Sequence, residues 1–251
     1  MDLKSKKIIV TGGAAGIGKC LVHALVSEGS IVAVLDKNVE ALEKLRNEIE
    51  GVCCQPCDVS NVQDVEKSVH VLYQKLNDID VLVNNVGFFY NSPLISFTSG
   101  AVKKHDVSMW HEVVRINMDS VFYMTSHVVE KMVLKRTKGV VVNVSSICAS
   151  GNAGQSAYSA AKAAVNALTV TWAKELSLIG IRVVGIAPGF VETESTKQAM
   201  TESVLKEWIR KIPLRRFGTP EEITSGIISI LRNDFFNGKV FELDGGLILG
   251  T

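Results

Sequence analysis

The 251-residue sequence has almost no charge imbalance: 27 Lys and Arg stand against 26 Asp and Glu, a net charge of +1. There is no basic excess to bind nucleic acid and no acidic tail to offer a basic partner. No run approaches the ~18 consecutive apolar residues of a membrane-spanning helix. The opening MDLKSKKIIVTGG lacks the apolar core and small-residue cleavage site of a secretory signal. The expectation is a cytoplasmic protein acting on a small molecule, with neither membrane nor nucleic acid as partner. Of the five cysteines, three cluster in GVCCQPCDV, but Cys53 and Cys54 are adjacent and point to opposite faces of a strand. No second Cys or His pair sits at ligand spacing, so no metal is expected. The odd count argues against a disulfide framework. Linkers, repeats and low-complexity segments are absent too.

What is present is a regular alternation. Hydrophobic residues make up 47% of the chain, enough for a sizeable core. Short β-branched runs (KIIVT, IVAVLD, VCCQP, VLVNN, VVVNVS, IRVVGIAP, KVFELDGG) are separated by longer helical patterns. Among these, one helix reads from Gly16 to about Glu28, and another as a single piece from about Met109 to Lys135. Near-continuous apolar strands between helices mean a parallel sheet covered on both faces. The fold class is α/β: a single-domain, Rossmann-type, doubly wound sheet of about seven strands over residues 1–251. Ligands then bind at the carboxyl ends of the strands. Two segments interrupt the alternation, 88–108 and 190–212. Both leave carboxyl ends of strands and are read as substrate loops.

VTGGAAGIG follows the first strand and opens the first helix. Its glycines let backbone approach a diphosphate, and the helix N-terminus favours the negative charge. The common G-x-G-x-x-G spacing is absent; Gly12, Gly16 and Gly18 give another. Asp36 ends the second strand, placed to accept hydrogen bonds from an adenosine ribose and to repel a 2′-phosphate, which selects NAD. Lys37 beside it leaves NADP open. In GQSAYSAAKAAVNAL, Tyr158 and Lys162 lie four apart and so share one helix face. A phenol can act as general acid/base, and a neighbouring ammonium should lower its pKa of about 10.

These residues resemble the short-chain dehydrogenases/reductases over nearly the whole chain. TGGAAGIG resembles the family's T-G-x-x-x-G-x-G, CDV its adenine segment, NNVG its N-N-A-G with Val86 replacing alanine, and YSAAK its Y-x-x-x-K. INM with Asn117, NVSS, APGFVET and LDGG also match, in order and at family spacing. The resemblance implies hydride transfer between NAD(H) and a secondary alcohol or ketone. Catalysis would fall to Asn117, Ser146, Tyr158 and Lys162, with Asn117 completing a proton relay through water. Cofactor contacts would come from Gly12, Gly16, Ile17, Gly18, Asp36, Asp58, Val59, Asn85, Gly87, Tyr158, Lys162, Pro188, Gly189, Val191 and Thr193. Strand phase selects Ser146 as the substrate-binding serine. The loop to Tyr158, one residue shorter than in many members, would put Ser145 at the commoner separation.

The family is broad in substrate. Phe88, Phe89, Tyr90, Leu94, Ile95 and Phe97 are candidates to line the substrate site. The insertion before Asn117 and the ending NDFFNGKVFELDGG resemble the 3-hydroxyacyl-CoA and hydroxysteroid dehydrogenase branch; PLRRFGTPEEI resembles 3-oxoacyl-carrier-protein reductases. Lys103, Lys104, Arg215 and Arg216 are solvated loop charges or contacts for a phosphate-bearing carrier. The helices holding Asn117 and Tyr158 are apolar on more than one face, and the family implies a homotetramer. A sugar-nucleotide epimerase or dehydratase usually has another glycine spacing and a longer chain. A non-catalytic nucleotide-binding regulator would not need Asn117, Ser146, Tyr158 and Lys162 together.

Overall fold

The computed structural model describes residues 1–98, 100–194, 196, 201–247 and 249. The chain starts β1 (Lys7–Thr11), α1 (Gly16–Ser27), β2 (Ile31–Asp36), α2 (Val39–Glu48), β3 (Cys53–Pro56), α3 (Val62–Leu76) and β4 (Val81–Asn84). A hairpin of β5 (Ile95–Thr98) and β6 (Ala101–Lys104) follows, then α4 (Val107–Val114), a π-helical turn (Arg115–Asp119) and α5 (Ser120–Lys135). Next come β7 (Val140–Val144), α6 (Ser156–Leu176), β8 (Arg182–Pro188), α7 (Glu202–Lys211), α8 (Pro220–Arg232) and β9 (Val240–Leu243).

Seven strands form one sheet in the order β3-β2-β1-β4-β7-β8-β9, every neighbouring pair parallel. This is the Rossmann-type doubly wound fold. The order reverses between β1 and β4, and the crevice outside that switch point is where ligands bind in such sheets. The strands alternate their side chains between two cores. Ile8, Val10, Val34 and Val142 pack with Leu21, Leu25 and Ile227 of α1 and α8. Ile9, Leu35, Leu82 and Val141 pack with Leu72, Met124 and Val128 of α3 and α5. Cys54 joins the first core and Cys53 packs against the second, on opposite faces. Burial on both faces explains why the strands read as unbroken apolar runs.

One polar ladder crosses the second core. Asn84 Nδ2 donates to Thr125 Oγ1 and to Asn143 Oδ1, and Asn143 Nδ2 donates to Thr169 Oγ1, each at 2.9 Å. These bonds tie α5 and α6 to β4 and β7. A mostly satisfied buried network of this kind fixes one arrangement of the elements it joins.

The structure adds detail to three sequence expectations. Segment 88–108 carries the β5–β6 hairpin and the start of α4, capped by Asp106 Oδ1 accepting from Ser108 and Met109 N–H. The helix expected from 109 to 135 is continuous from Val107 to Lys135, with the π turn inside it. Segment 190–212 contains α7, and Trp208 packs on Phe190 with ring centroids 4.6 Å apart.

Candidate active site

The carboxyl ends of the central strands open onto a cleft of about 490 Å³. Gly12, Gly16, Ile17, Asp36, Asp58, Val59, Asn85, Gly87, Ser146, Tyr158, Lys162, Pro188, Gly189, Val191 and Thr193 all line it; Gly18 and Asn117 do not. At one end lies the glycine turn. Gly12 and Gly16 hold φ +63° and +52°, a region that strains other residues. Asn85 Nδ2 donates to the carbonyls of Thr11 and Gly12, and Thr11 Oγ1 accepts from the N–H of Asn85 and Val86. Asn85 therefore holds the turn in shape. Gly18 lies behind the turn, where a Cβ would overlap the Gly12 carbonyl oxygen.

At the end of β2, Asp36 Oδ2 accepts from Ala14 N–H at 3.2 Å and Oδ1 from Asn38 N–H at 3.0 Å. The carboxylate is fixed at the cleft rim, with Lys37 also in the lining. Asp58 accepts from both the N–H and hydroxyl of Ser60. Burial raises its pKa, but those bonds and the charges of Arg115 and Lys37 outweigh it and hold the carboxyl below its usual range. Arg115, which the motifs do not mark, also donates to Ser60 Oγ at 2.5 Å and to Glu112 at 3.0 Å.

At the other end, α6 presents Tyr158 and Lys162. Lys162 Nζ stands 5.8 Å from the Tyr158 ring centroid and donates to Val144 O at 2.9 Å. The spacing predicted a phenol held below its ordinary pKa by the ammonium. The structure reverses that direction in the protein alone. Burial pushes the phenol up to about 12, the Cys148 thiol adds to the rise, and the Ser146 hydroxyl opposes it. Burial pushes the Lys162 ammonium down to about 8. The i+4 spacing sets the two side chains together, but the ammonium faces the ring and a carbonyl, so desolvation wins.

Strand alternation separates the two serines. Ser145 Oγ donates to Asn166 Oδ1 at 2.5 Å, against α6. Ser146 Oγ accepts from Cys148 N–H at 3.1 Å, and its hydroxyl also hydrogen-bonds the Tyr158 phenol. Asn117, on the π turn, is fully buried. Its Oδ1 accepts from Phe88 N–H, and its Nδ2 donates to Phe88 O and Val113 O. A Cβ added to Gly87 would stand 3.5 Å from Asn117 Oδ1 and 3.9 Å from Lys162 Nζ. So Asn117 sits just beneath the cleft floor. Single-turn π segments are frequent at functional sites.

Of the six apolar candidates in segment 88–97, only Phe89 lines the cleft, edge-on to Tyr158 at 5.5 Å. Leu94 and Phe97 are exposed instead, because the hairpin carries them away from the sheet. Lys103 and Lys104 are exposed on β6, and Arg216 is taken by Glu222 at 2.6 and 2.7 Å. Cys148, Gln155 and Phe190 also line the cleft. All five cysteines are free thiols. Among the described residues no helix is long and apolar enough to cross a membrane.

A family model described as short chain dehydrogenase matches residues 6–203. The chain belongs to the short chain dehydrogenase family. It is an oxidoreductase of that family, acting at CH–OH or keto carbons, and the family binds NAD or NADP. The chain is 37% identical to a 3-oxoacyl-[acyl-carrier-protein] reductase of Thermotoga maritima, covering 99% of this chain and 100% of the relative. It is 33% identical to a sorbitol-6-phosphate 2-dehydrogenase of Klebsiella pneumoniae, covering 100% and 98%. The solved structure of gox2181 superposes with a TM-score of 0.86 at 28% identity, covering 98% and 97%.

The residues of this short chain dehydrogenase fit a dinucleotide. Around Gly16, among the described residues, a Cβ would meet only Thr193 Cγ2, at 3.7 Å. α1 starts there with no side-chain cap and no acid in its first turn. Its first N–H groups and the positive end of the helix dipole suit a diphosphate.

Proposed function

We propose that this short chain dehydrogenase transfers a hydride between NAD(H) and a secondary alcohol or ketone, with Tyr158 as general acid/base. One observation carries the reading: Tyr158, Ser146 and Lys162 share one end of the cleft, with Asn117 under its floor. When bound, the nicotinamide supplies or accepts the hydride. The glycine turn and the start of α1 hold the diphosphate, and Asp36 receives the ribose hydroxyls. Gly87, Pro188, Gly189, Val191 and Thr193 wall the nicotinamide end; Asp58 and Val59 wall the adenine end. Ser146, beside the phenol, donates its hydroxyl hydrogen to the substrate oxygen. Tyr158 gives or takes the proton at that oxygen, and Lys162 stabilises the phenolate that results. Asn117 holds the water that returns the proton.

The fixed Asp36 carboxylate supports NAD over NADP. The alternative is an NADP(H)-dependent 3-oxoacyl-carrier-protein reductase, favoured by the 37% relative of that name and by Lys37 in the cleft lining. The reading takes residues 1–251 as one nucleotide-binding unit with substrate loops 88–108 and 190–212. A cytoplasmic location is part of it, supported by the free thiols. So is a homotetramer, supported by Phe122 on α5, 51% exposed and beside Trp172 of α6.

The test is a spectrophotometric screen of both nicotinamides over acyl-thioester, steroid, sugar and diol or ketone substrates. NAD-linked turnover of a secondary alcohol or ketone supports the reading. NADP-linked turnover confined to 3-oxoacyl thioesters favours the alternative, and no turnover with either nicotinamide overturns both.

A further inference from the structure

Among the described residues, five buried side-chain polar atoms have no hydrogen-bond partner, and three of them belong to one neighbourhood: Gln155 Oε1, His105 Nε2 and Ser159 Oγ. His105 Nδ1 bonds the Ser92 carbonyl at 3.0 Å, Ser92 forms an isolated bridge with Gln155, and Ser159 N–H donates to the Gln155 carbonyl at 2.8 Å. Of the three, only Gln155 lines the cleft, and it is 5% exposed. It occupies the N-cap of α6 yet makes no side-chain cap bond. A side chain at that position usually spends its oxygen on the first helical N–H groups. Here the amide carbonyl is buried without a donor, which costs stability unless a ligand brings one.

The surroundings define that ligand. Phe89, Ile147, Cys148 and Phe190 make this end of the cleft largely apolar. Among the described lining residues the cations are Lys37, beside Asp36 at the far end, and Lys162. A phosphate or carboxylate on the substrate would find no dedicated counter-charge here. An uncharged hydroxyl would find the Gln155 oxygen. Residues three apart on a helix are neighbours, about 5–6 Å between Cβ atoms, so Gln155 and Tyr158 serve adjacent parts of one substrate.

We propose that Gln155 is a specificity-determining residue whose amide oxygen accepts a hydrogen bond from a second, uncharged hydroxyl of the substrate. The preferred substrates are then hydroxy ketones and the corresponding vicinal diols. This assignment rests on the oxidoreductase reading of the same cleft.

The test compares kcat/KM for 3-hydroxybutan-2-one with that for butan-2-one, which lacks only the hydroxyl, and with that for S-ethyl 3-oxobutanethioate. Wild type should favour the hydroxy ketone over butan-2-one by roughly tenfold or more. In Gln155→Met the loss should fall on the hydroxy ketone, bringing that ratio close to one. Gln155→Leu serves the same purpose if the methionine variant does not fold, and a cofactor titration checks the site in either. A wild-type ratio near one, a ratio that survives the substitution, or a preference for the thioester overturns the Gln155 assignment while leaving hydride transfer intact. Failure to reduce any of the three compounds overturns the assignment too. Failure of every substrate in the wider screen overturns the oxidoreductase reading itself.

Discussion

Replacing Gly18 by alanine should loosen the cofactor end of the cleft through packing alone. A Cβ at Gly18 would overlap the Gly12 carbonyl oxygen and stand 2.6 Å from Asn85 Nδ2. Neither atom can swing aside cheaply. The first is backbone at φ +63°, and the second donates two hydrogen bonds, both at 3.1 Å. The turn must therefore separate from α1. Overpacking of this kind costs about 1–3 kcal/mol. Weakening the two Asn85 bonds adds up to about 1 kcal/mol each. A destabilisation of about 2–4 kcal/mol follows, along with a cofactor Kd raised roughly tenfold or more because Gly12 and Gly16 move with the turn. Gly16→Ala is the control. Among the described residues its Cβ meets only Thr193, at 3.7 Å, so the stability cost is the backbone strain of about 1–2 kcal/mol. Urea unfolding at constant m-value and a cofactor titration measure both quantities. A Gly18→Ala protein as stable and as tight-binding as wild type, or one less perturbed than Gly16→Ala, would refute the reasoning.

Asn117→Asp keeps an acceptor for Phe88 N–H but turns a carboxylate oxygen toward the carbonyls of Phe88 and Val113. Thermal melts should show a loss of about 2–4 kcal/mol, and kcat should fall with it. Lys162 carries a pKa near 8 in the folded protein against the ordinary 10.5. Between those values the unfolded chain binds more protons, so Lys162 destabilises below pH 8 and stability rises with pH toward 10.5, by about 3 kcal/mol in all. The raised phenol of Tyr158 works in the opposite sense above pH 10. Denaturation from pH 7 to 10 should therefore show wild type gaining on Lys162→Met; parallel curves would contradict the burial effect. Asp36→Ala should shift the NAD-to-NADP ratio of kcat/KM toward NADP by roughly tenfold, since a fixed negative charge facing the 2′-phosphate is removed.

Much of this was legible in the sequence because it depends on periods. The apolar strand runs and intervening helices gave the doubly wound sheet, and the i+4 spacing put Tyr158 and Lys162 side by side. Period two also explains why Ser145 bonds Asn166 of α6 while Ser146 stands beside Tyr158, although both line the cleft. The π turn was not legible, since one inserted residue hardly disturbs a 3.6 pattern over 109–135. The hairpin had a weak signal, ISFT followed by Gly100 at φ +80°, lost within a segment read as loop. The direction of the Tyr158 shift was also hidden. Spacing names the neighbouring charge, but only the packed structure shows how thoroughly water is removed and where the ammonium points. Gln155 stood inside the GQSAYSAAK motif, yet nothing in its spacing says that its side chain leaves the helix uncapped.

The general acid/base role of Tyr158 is tested most directly by single-turnover hydride transfer in Tyr158→Phe, read from reduced-nicotinamide absorbance with cofactor affinity measured in parallel. The ring keeps its edge contact with Phe89 at 5.5 Å, so only the transferable proton is lost. The expected result is a rate lower by about 10²–10⁴-fold with an unchanged cofactor Kd. Hydride transfer at a near wild-type rate would contradict the assignment of Tyr158 as the general acid/base.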